Sequence, residues 1–254
     1  MGAGFAVITA GTLFVSLLGS KENPQFSQEQ SLGLRDALRA TFRNRSFLLF
    51  LALNLFINFV FEMLTAGLPF YAKYVLRVGE LETSLLLGVA LIAALPMLAL
   101  WTWVSIRKGA RAALLAAQVA FAVGLVPLLF IGGFVAAMVV MVLMGLGFAG
   151  LLMLTDVLIA DVVDEDELRT GVRREGMFFG TNGLVIRLAI AMKAIAMAVV
   201  FSATGYNAAL PVGSQPPAVE LGLRLLLAAL PILGLAASFA FTWLFPLHGA
   251  RLAE

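Results

Sequence analysis

Long apolar segments, separated by short charged or glycine-rich ones, occupy most of the sequence. Six of them approach or exceed the roughly 20 residues that a helix needs to cross a bilayer. They lie at 47–70, 85–104, 112–131, 134–160, 177–203 and 221–245. Apolar residues form 61% of the chain and charged residues 13%, and a soluble domain of this size has too little interior to bury that much apolar surface. We therefore expect an all-α membrane protein.

A shorter apolar run at 3–19 precedes these six, and a polar stretch at 20–46 follows it. No basic residue comes before the short run, as one would in a secretory signal, so we interpret the run as the end of a transmembrane helix. Within the polar stretch, Leu34, Leu38 and Phe42 recur at helical spacing. This spacing predicts an amphipathic helix that lies on the membrane surface.

Lysine and arginine residues are distributed unequally between the two sides of the predicted bundle. The segments outside the apolar runs carry 12 of them on one side and three on the other. By the positive-inside rule the richer side is cytoplasmic. We expect a multi-pass protein of the plasma (inner) membrane, with the N-terminus of the chain outside and its C-terminus in the cytoplasm.

Catalytic and metal-binding residue types are scarce in this sequence. It has no cysteine, and its one histidine, His248, lies near the C-terminus, so we expect no metal site. It also has no Gly-x-Ser-x-Gly or His-Glu-x-x-His motif, so we do not expect an enzyme. The net charge of +2 is too small to predict nucleic-acid binding.

Two basic residues, Arg187 and Lys193, lie deep inside the run at 177–203. Each is about ten residues from an end, which is roughly 15 Å along a helix and farther than a snorkelling side chain reaches. Charges at such depth usually mark a substrate or ion pathway. Because they are six positions apart, we expect them on different faces, one of them toward a cavity and the other toward a neighbouring helix.

Polar residues also form a stripe on the run at 47–70. Asn54, Asn58 and Glu62 are spaced four apart and therefore share a face. They are predicted to line the pathway, with Glu62 as a candidate proton or cation partner, and Asn182 is assigned to the same pathway. The alternative is hydrogen bonding between helices. The glycines at 145, 147 and 150 are interpreted as packing residues.

The segment at 161–175 alternates acids and bases between two apolar runs. Asp161 and Asp164 stand at the end of one run, and Arg173 and Arg174 come just before the next. Charges at facing helix ends can pair across a closing interface, whereas the alternative is a solvated loop.

Residues 161–176 follow the pattern D-x-x-D-x-x-E-x-x-x-G-x-R-x-E-G. This pattern resembles the glycoside–pentoside–hexuronide:cation symporter family of the major facilitator superfamily, which includes the melibiose carrier and lysolipid symporters. The stretches at 43–47 and 70–76 are similar to the entry and exit of that family's seventh helix. The resemblance covers nearly the whole chain.

The resemblance implies the C-terminal six-helix half of a major facilitator transporter. In that arrangement 1–19 is the end of helix six, 20–46 the cytoplasmic central loop, 47–247 the bundle of helices seven to twelve, and 248–254 the cytoplasmic tail. The implied partners are membrane lipids, a small-molecule solute and a missing N-terminal half of six helices. No cofactor is implied beyond a coupling Na⁺ or H⁺, whose site would lie mainly in that missing half.

The family's functional residues map onto several positions of this chain. Arg187 takes the place of an intramembrane lysine, and Leu152 stands where sugar carriers can present an aromatic residue. The matching cytoplasmic charged gate consists of Asp161, Asp164, Glu167, Arg173 and Glu175.

The implied function is cation- or proton-coupled symport of a sugar-like solute by alternating access. Two alternatives stay open: symport of a lysolipid or another amphiphile, and a non-transporting membrane partner or degenerate half-transporter.

Overall fold

A computed structural model of the chain describes residues 2–19, 44–172 and 174–247, and within these ranges it contains helices and no β-strand. The first helix, α1 (Gly2–Gly19), belongs to a compact unit of its own. The predicted surface helix around Leu34 to Phe42 and the predicted tail at 248–254 lie outside the described residues, as does Arg173.

The second unit contains six segments that are long and apolar enough to span a membrane. Two of them contain π-helical turns, and one ends in a 3₁₀ turn. The elements are α2 (Arg45–Tyr71) with the π turn Ala72–Leu76, α3 (Glu80–Lys108), α4 (Ala110–Leu125) with the 3₁₀ turn Val126–Leu129, α5 (Phe134–Thr170), α6 (Glu175–Thr204), and α7 (Pro217–Arg224) joined by the π turn Leu225–Ala229 to α8 (Leu230–Leu244). The expected all-α membrane fold is confirmed.

Successive spans run in opposite directions, and glycines make two of the tight turns at one end. Gly109 (φ 85°) separates α3 from α4, and Gly171 (φ 70°) ends α5 before α6 begins. Both angles lie in the left-handed region that glycine adopts without strain. We call the end of the bundle that holds these two turns the charged end, and the other the opposite end.

The helix α5 differs from its prediction, which ended the apolar helix near residue 160. It continues for ten more residues, to Thr170, so most of the acidic segment is helical and only a short turn around Gly171 is not. The alternative of a solvated loop therefore does not describe residues 161–170, which are helical. The helix continues because Val162, Val163 and Asp166 keep one of its faces buried beyond the apolar run.

Three glycines of α5 bring this helix close to α3 and α4. A Cβ atom on Gly147 would lie 2.5 Å from the backbone nitrogen of Phe121, and one on Gly150 would lie 2.6 Å from the Cβ of Ala117. A Cβ on Gly145 would meet Ala93 of α3 at 2.8 Å. The predicted packing role of these glycines therefore agrees with the structure.

Two spans are left largely uncovered by the rest of the unit. Only 6% of the most apolar 18-residue window of α6 is buried, and only 11% of that of α3, against 44% to 50% for the other four. These two helices therefore have broad apolar faces that no described residue covers.

Candidate functional site

A polar cavity of about 140 Å³ lies between α2, α5 and α6. Its polar lining consists of Asn54 and Asn58 from α2, Thr155 and Asp156 from α5, and Asn182 from α6. All five lie within spans that are apolar for most of their length. The structure thus gathers three predicted pathway residues, the asparagines, around one cavity.

Hydrogen bonds connect the three asparagines across the helices. The Asn54 Nδ2 group donates to Asn182 Oδ1 at 2.6 Å and thereby ties α2 to α6. The Asn58 Nδ2 group donates to the backbone oxygen of Asn54 at 2.9 Å and to its Oδ1 at 2.8 Å. Both interpretations of the stripe, helix–helix bonding and cavity lining, therefore describe the same residues.

An ion pair ties α2 to α6 farther toward the opposite end. The Lys193 ammonium lies 2.5 Å from the Glu62 carboxylate, and their side chains are 19% and 30% exposed. Lys193 is eleven positions after Asn182, and Glu62 is eight after Asn54, so the pair continues the same helix–helix contact. The two residues were predicted separately, and the structure brings them together.

Arg187 occupies a different side of α6. It is exposed, and within the described part of the chain it makes no hydrogen bond or ion pair. It follows Ile186, which lines the polar cavity, as does Leu152 of α5. Lys193 thus contacts a neighbouring helix, whereas Arg187 is not among the residues that line the polar cavity.

Asp156 escaped the sequence-based prediction, which named Glu62 as the candidate proton or cation partner. Asp156 also lies inside an apolar run, at 134–160. It was overlooked because the acidic segment begins only five residues later. In the structure its carboxylate is exposed at the polar cavity and, among the described residues, has no hydrogen-bond or ionic partner.

A buried ion pair connects α5 to the start of α6 at the charged end. The Asp166 Oδ2 atom accepts from Arg174 Nε at 3.0 Å and from Nη2 at 2.5 Å, and both side chains are 6% exposed. Neither residue was assigned to the predicted gate. Of the residues that were, Asp164 and Glu175 are exposed, Asp161 and Glu167 are partly exposed, and Arg173 lies outside the described residues.

A second cavity, of about 270 Å³, lies between α2, α3, α4 and α5. Thr65 is the one polar residue in its lining; the other residues are apolar and include Leu91, Met144 and Phe148. Phe61 lines both cavities. One aromatic side chain therefore stands between a polar and an apolar space.

Comparison with known protein families shows which family the chain belongs to. The model of the family described as MFS/sugar transport protein matches residues 1–249. The chain belongs to the MFS/sugar transport protein family. This confirms the resemblance to melibiose-carrier-like proteins of the major facilitator superfamily, and it identifies the chain as a multi-pass membrane protein of a family of transporters, not of enzymes.

Two curated relatives of this MFS chain are also transporters by name. An uncharacterized symporter of Synechocystis sp. is 24% identical over an alignment of 247 residues, and the match covers 91% of this chain and 43% of that protein. The isoprimeverose transporter of Lactiplantibacillus pentosus is 27% identical over an alignment of 213 residues, and the match covers 80% of this chain and 43% of that protein. The chain thus spans less than half the length of either relative.

Proposed function

We propose that this chain forms one half of a secondary active transporter that moves a sugar-like solute together with a cation or proton. The observation that carries the proposal is the polar cavity at Asn54, Asn58, Asp156 and Asn182, inside spans that are apolar for most of their length. Carboxamide and carboxylate groups both form hydrogen bonds with hydroxyl groups, which are the polar groups of a sugar. The family description and the name of the isoprimeverose transporter support a sugar.

The size of the polar cavity supports a site that two halves complete. Ligand pockets usually enclose about 300–1,000 Å³, whereas this cavity has about 140 Å³. The uncovered faces of α3 and α6, and the length of the relatives, support a partner half of six further helices. We assign α1 to the end of helix six, and the spans from α2 to α8 to helices seven to twelve.

The proposed cycle alternates access by rocking the two halves around a site near the middle of the membrane. Arg187, exposed and unpaired within the described part of the chain, would meet the solute or an acid of the other half. The gate residues Asp161, Asp164, Glu167, Arg173 and Glu175 would pair across the interface at the charged end. We place that end in the cytoplasm of a plasma (inner) membrane, in keeping with its excess of Lys and Arg.

Solute uptake into liposomes that contain the complete two-half transporter tests the proposal. We expect an inward Na⁺ or H⁺ gradient to drive uptake of isoprimeverose or another sugar, and Asn182→Ala to reduce that uptake. Ser84→Ala, at an exposed hydroxyl near the start of α3, is the matched control and should transport like the wild type. If no sugar enters, or if Asn182→Ala transports normally, the proposal is wrong.

A second candidate cargo is a lysolipid or another amphiphile. The apolar cavity of about 270 Å³ favours it, because Phe61 lines both this space and the polar cavity, so that a head group and a tail would have neighbouring sites. Uptake of a lysolipid, weakened by Thr65→Trp or Leu91→Trp, would support this cargo. Sugar uptake that is insensitive to both substitutions would exclude it.

A further inference from the structure

We propose that a groove between α4 and α8 binds a phospholipid with an anionic head group, and that Arg107, Lys108 and Arg111 at the charged end bind its phosphate. We call this space the α4–α8 groove. It shares no lining residue with the polar cavity between α2, α5 and α6. Lipid binding there does not depend on the proposed transport of a sugar.

The α4–α8 groove has a volume of about 290 Å³ and an apolar wall. Its lining includes exposed or partly exposed side chains from α4 (Val119, Ala122) and from α8 (Ile232, Ala236). Gln118 is the one polar residue in the lining, and it is only 1% exposed because its amide group bonds to α8. The surface that the groove presents to a ligand is therefore almost entirely hydrocarbon, which suits an acyl chain.

Three basic residues lie within five positions at the charged end, where α4 begins and α8 ends: Arg107, Lys108 and Arg111. The first two are exposed and the third is partly exposed. None of them forms an ion pair with a described residue. Arg111 donates to the backbone oxygens of Thr242 and Trp243, which carry no charge. A phosphate group would balance the positive charge that these contacts leave.

Aromatic side chains connect the basic end with the α4–α8 groove. The Arg111 guanidinium lies 5.8 Å from the centroid of the Trp243 ring, and this ring stacks on Phe239, which lines the groove. Trp243 is 62% exposed. Trp103, whose ring centroid lies 4.3 Å from the Arg107 guanidinium, is 51% exposed. Because tryptophan is enriched at the level of the lipid head groups, these two rings indicate the depth at which a head group lies.

Distances along α4 agree with a single lipid molecule. Gln118 and Ala122 are the first and last groove residues on this helix, and they come seven and eleven residues after Arg111. They lie about 10 and 16 Å farther inward at 1.5 Å per residue. One leaflet of a bilayer contains roughly 15 Å of hydrocarbon. A head group at Arg111 therefore places an acyl chain of the same molecule alongside the groove.

The position of the α4–α8 groove favours a lipid over a protein partner. The proposed partner half covers α3 and α6, whose most apolar windows are only 11% and 6% buried. The spans that contain α4 and α8 are already 44% buried in theirs. A zwitterionic lipid would fill the groove without neutralising the basic end. Basic pockets between membrane helices bind anionic head groups, and we therefore assign the groove to an anionic phospholipid.

Native mass spectrometry of the whole purified chain measures this binding during titration with dioleoyl-phosphatidylglycerol or dioleoyl-phosphatidylcholine. The two lipids have the same acyl chains and differ in the charge of the head group. We expect the wild type to bind phosphatidylglycerol about tenfold or more tightly, since each basic residue near a head group contributes about fivefold. Arg107→Gln combined with Lys108→Gln should weaken phosphatidylglycerol binding by about fivefold or more and leave phosphatidylcholine binding unchanged.

A second variant tests whether the bound molecule occupies the α4–α8 groove. Ala122→Phe fills the groove and should weaken the binding of both lipids by about tenfold, because the acyl chain loses apolar contact. Ala236→Phe, on the opposite wall, repeats the test if Ala122→Phe does not fold. Two controls should bind both lipids like the wild type. They are Ala116→Phe, at an exposed position of α4 outside the groove lining, and Lys73→Gln, at an exposed lysine of the opposite end.

Three results would overturn the inference. The first is equal affinity of the wild type for the two lipids, and the second is a preference for phosphatidylglycerol that the Arg107 and Lys108 substitutions leave intact. The third is lipid binding that neither groove variant weakens, because a diffuse attraction between basic residues and anionic head groups does not require the groove. Sugar uptake enters none of these measurements, so the proposed transport function stands or falls separately.

Discussion

Two helix–helix contacts in this bundle carry polar side chains, and they use them differently. Between α4 and α8, Gln118 Nε2 donates to Ser238 Oγ at 2.8 Å and to Thr242 Oγ1 at 3.0 Å, and all three residues are at most 1% exposed. Between α2 and α6, the polar groups border a cavity and several are partly exposed. The hydrogen-bonded groups of the first contact are buried, and the α4–α8 groove of about 290 Å³ that Gln118 borders is otherwise apolar. In the second contact several polar groups share one cavity and are partly exposed. We call the first contact closed and the second open.

Arginines secure both ends of the closed contact. At the charged end, Arg111 donates to the backbone oxygens of Thr242 and Trp243, where α8 ends. At the opposite end, Arg224 donates to the backbone oxygens of Leu129 at 2.9 Å and Ile131 at 2.7 Å, where α4 ends. Intramembrane polarity therefore indicates a pathway where several polar side chains share one cavity and are partly exposed to it.

The ion pair of Asp166 and Arg174, between α5 and the start of α6, is buried like the polar groups of the α4–α8 contact. Its removal should reduce the stability of the protein more than any other substitution considered. We expect Arg174→Ala to destabilise the protein by about 3–5 kcal/mol, because Asp166 is left as an unpaired buried charge. Thermal or denaturant unfolding in detergent measures this loss. Arg169→Ala is the control, since that side chain is 63% exposed and its pair with Glu165 should contribute about 0–1 kcal/mol. If Arg174→Ala and Arg169→Ala destabilised the protein equally, the buried pair would be no more important for stability than the exposed one.

Gln118→Ala should cost less and should act on stability alone. Losing the bonds to Ser238 and Thr242 is expected to destabilise the protein by about 1–3 kcal/mol, because buried polar groups lose their partner. Ser238 retains its bond to the backbone oxygen of Leu53 at 3.0 Å, which limits the effect. Uptake per folded molecule should stay at the wild-type level. A selective loss of uptake would place Gln118 in the pathway instead.

The Glu62–Lys193 pair is neither fully buried, like Asp166–Arg174, nor largely exposed, like Glu165–Arg169. A double-mutant cycle measures the coupling energy between its two residues. Because both side chains are partly exposed, we expect a coupling energy of about 0.2–1 kcal/mol, as for solvent-accessible pairs. The cycle combines Glu62→Gln with Lys193→Met and reads unfolding free energies. A coupling of several kcal/mol would mean that water is excluded from this pair as it is from Asp166–Arg174.

Asn182→Ala should affect stability little and uptake strongly. Hydrogen bonds between membrane helices contribute about 0.6 kcal/mol on average, so the midpoint of unfolding should change little. Uptake should nevertheless fall, because the cavity loses an amide that would bind the solute. Losses of stability and uptake in equal proportion would show that the α2–α6 contact is as structural as the α4–α8 contact.

The smallest predicted effect concerns Tyr206, outside the spans at the opposite end. Partial burial and the hydroxyl of Tyr74, 3.1 Å away, raise the pKa of Tyr206 to about 12. The protonated hydroxyl therefore stabilises the fold fully below pH 10, and this contribution is lost as the pH rises from 10 to 12. We expect Tyr206→Phe to lose less stability than the wild type over that window. Equal losses in the two proteins would argue against the raised pKa.

Much of the fold could be predicted from the sequence, because hydrophobic length alone identifies membrane spans. Each of the six predicted runs lies within a helical span or overlaps most of it. The end of α5 could not be predicted in this way, because the helix beyond residue 160 is held by the burial of Val162 and Val163 and not by lipid.

The candidate site was only partly predictable, for a different reason. Helical spacing placed Asn54, Asn58 and Glu62 on one face, and this is a local property. The bond between Glu62 and Lys193 joins residues 131 positions apart, and no local pattern indicates which helices become neighbours. Asp156 is different, since its position inside an apolar run was visible and only its closeness to the acidic segment concealed it.

The glycine contacts of α5 limit where this protein can vary. At Gly147 and Gly150 even a methyl group would collide with α4, and at Gly145 with α3, so these three helices tolerate little enlargement where they meet. We therefore expect substitutions that change the transported solute to occur in α2 and α6, and on the faces of α3, α4 and α5 that point away from these contacts. A mutational library built on those positions should yield altered selectivity far more often than one built on the glycine contacts.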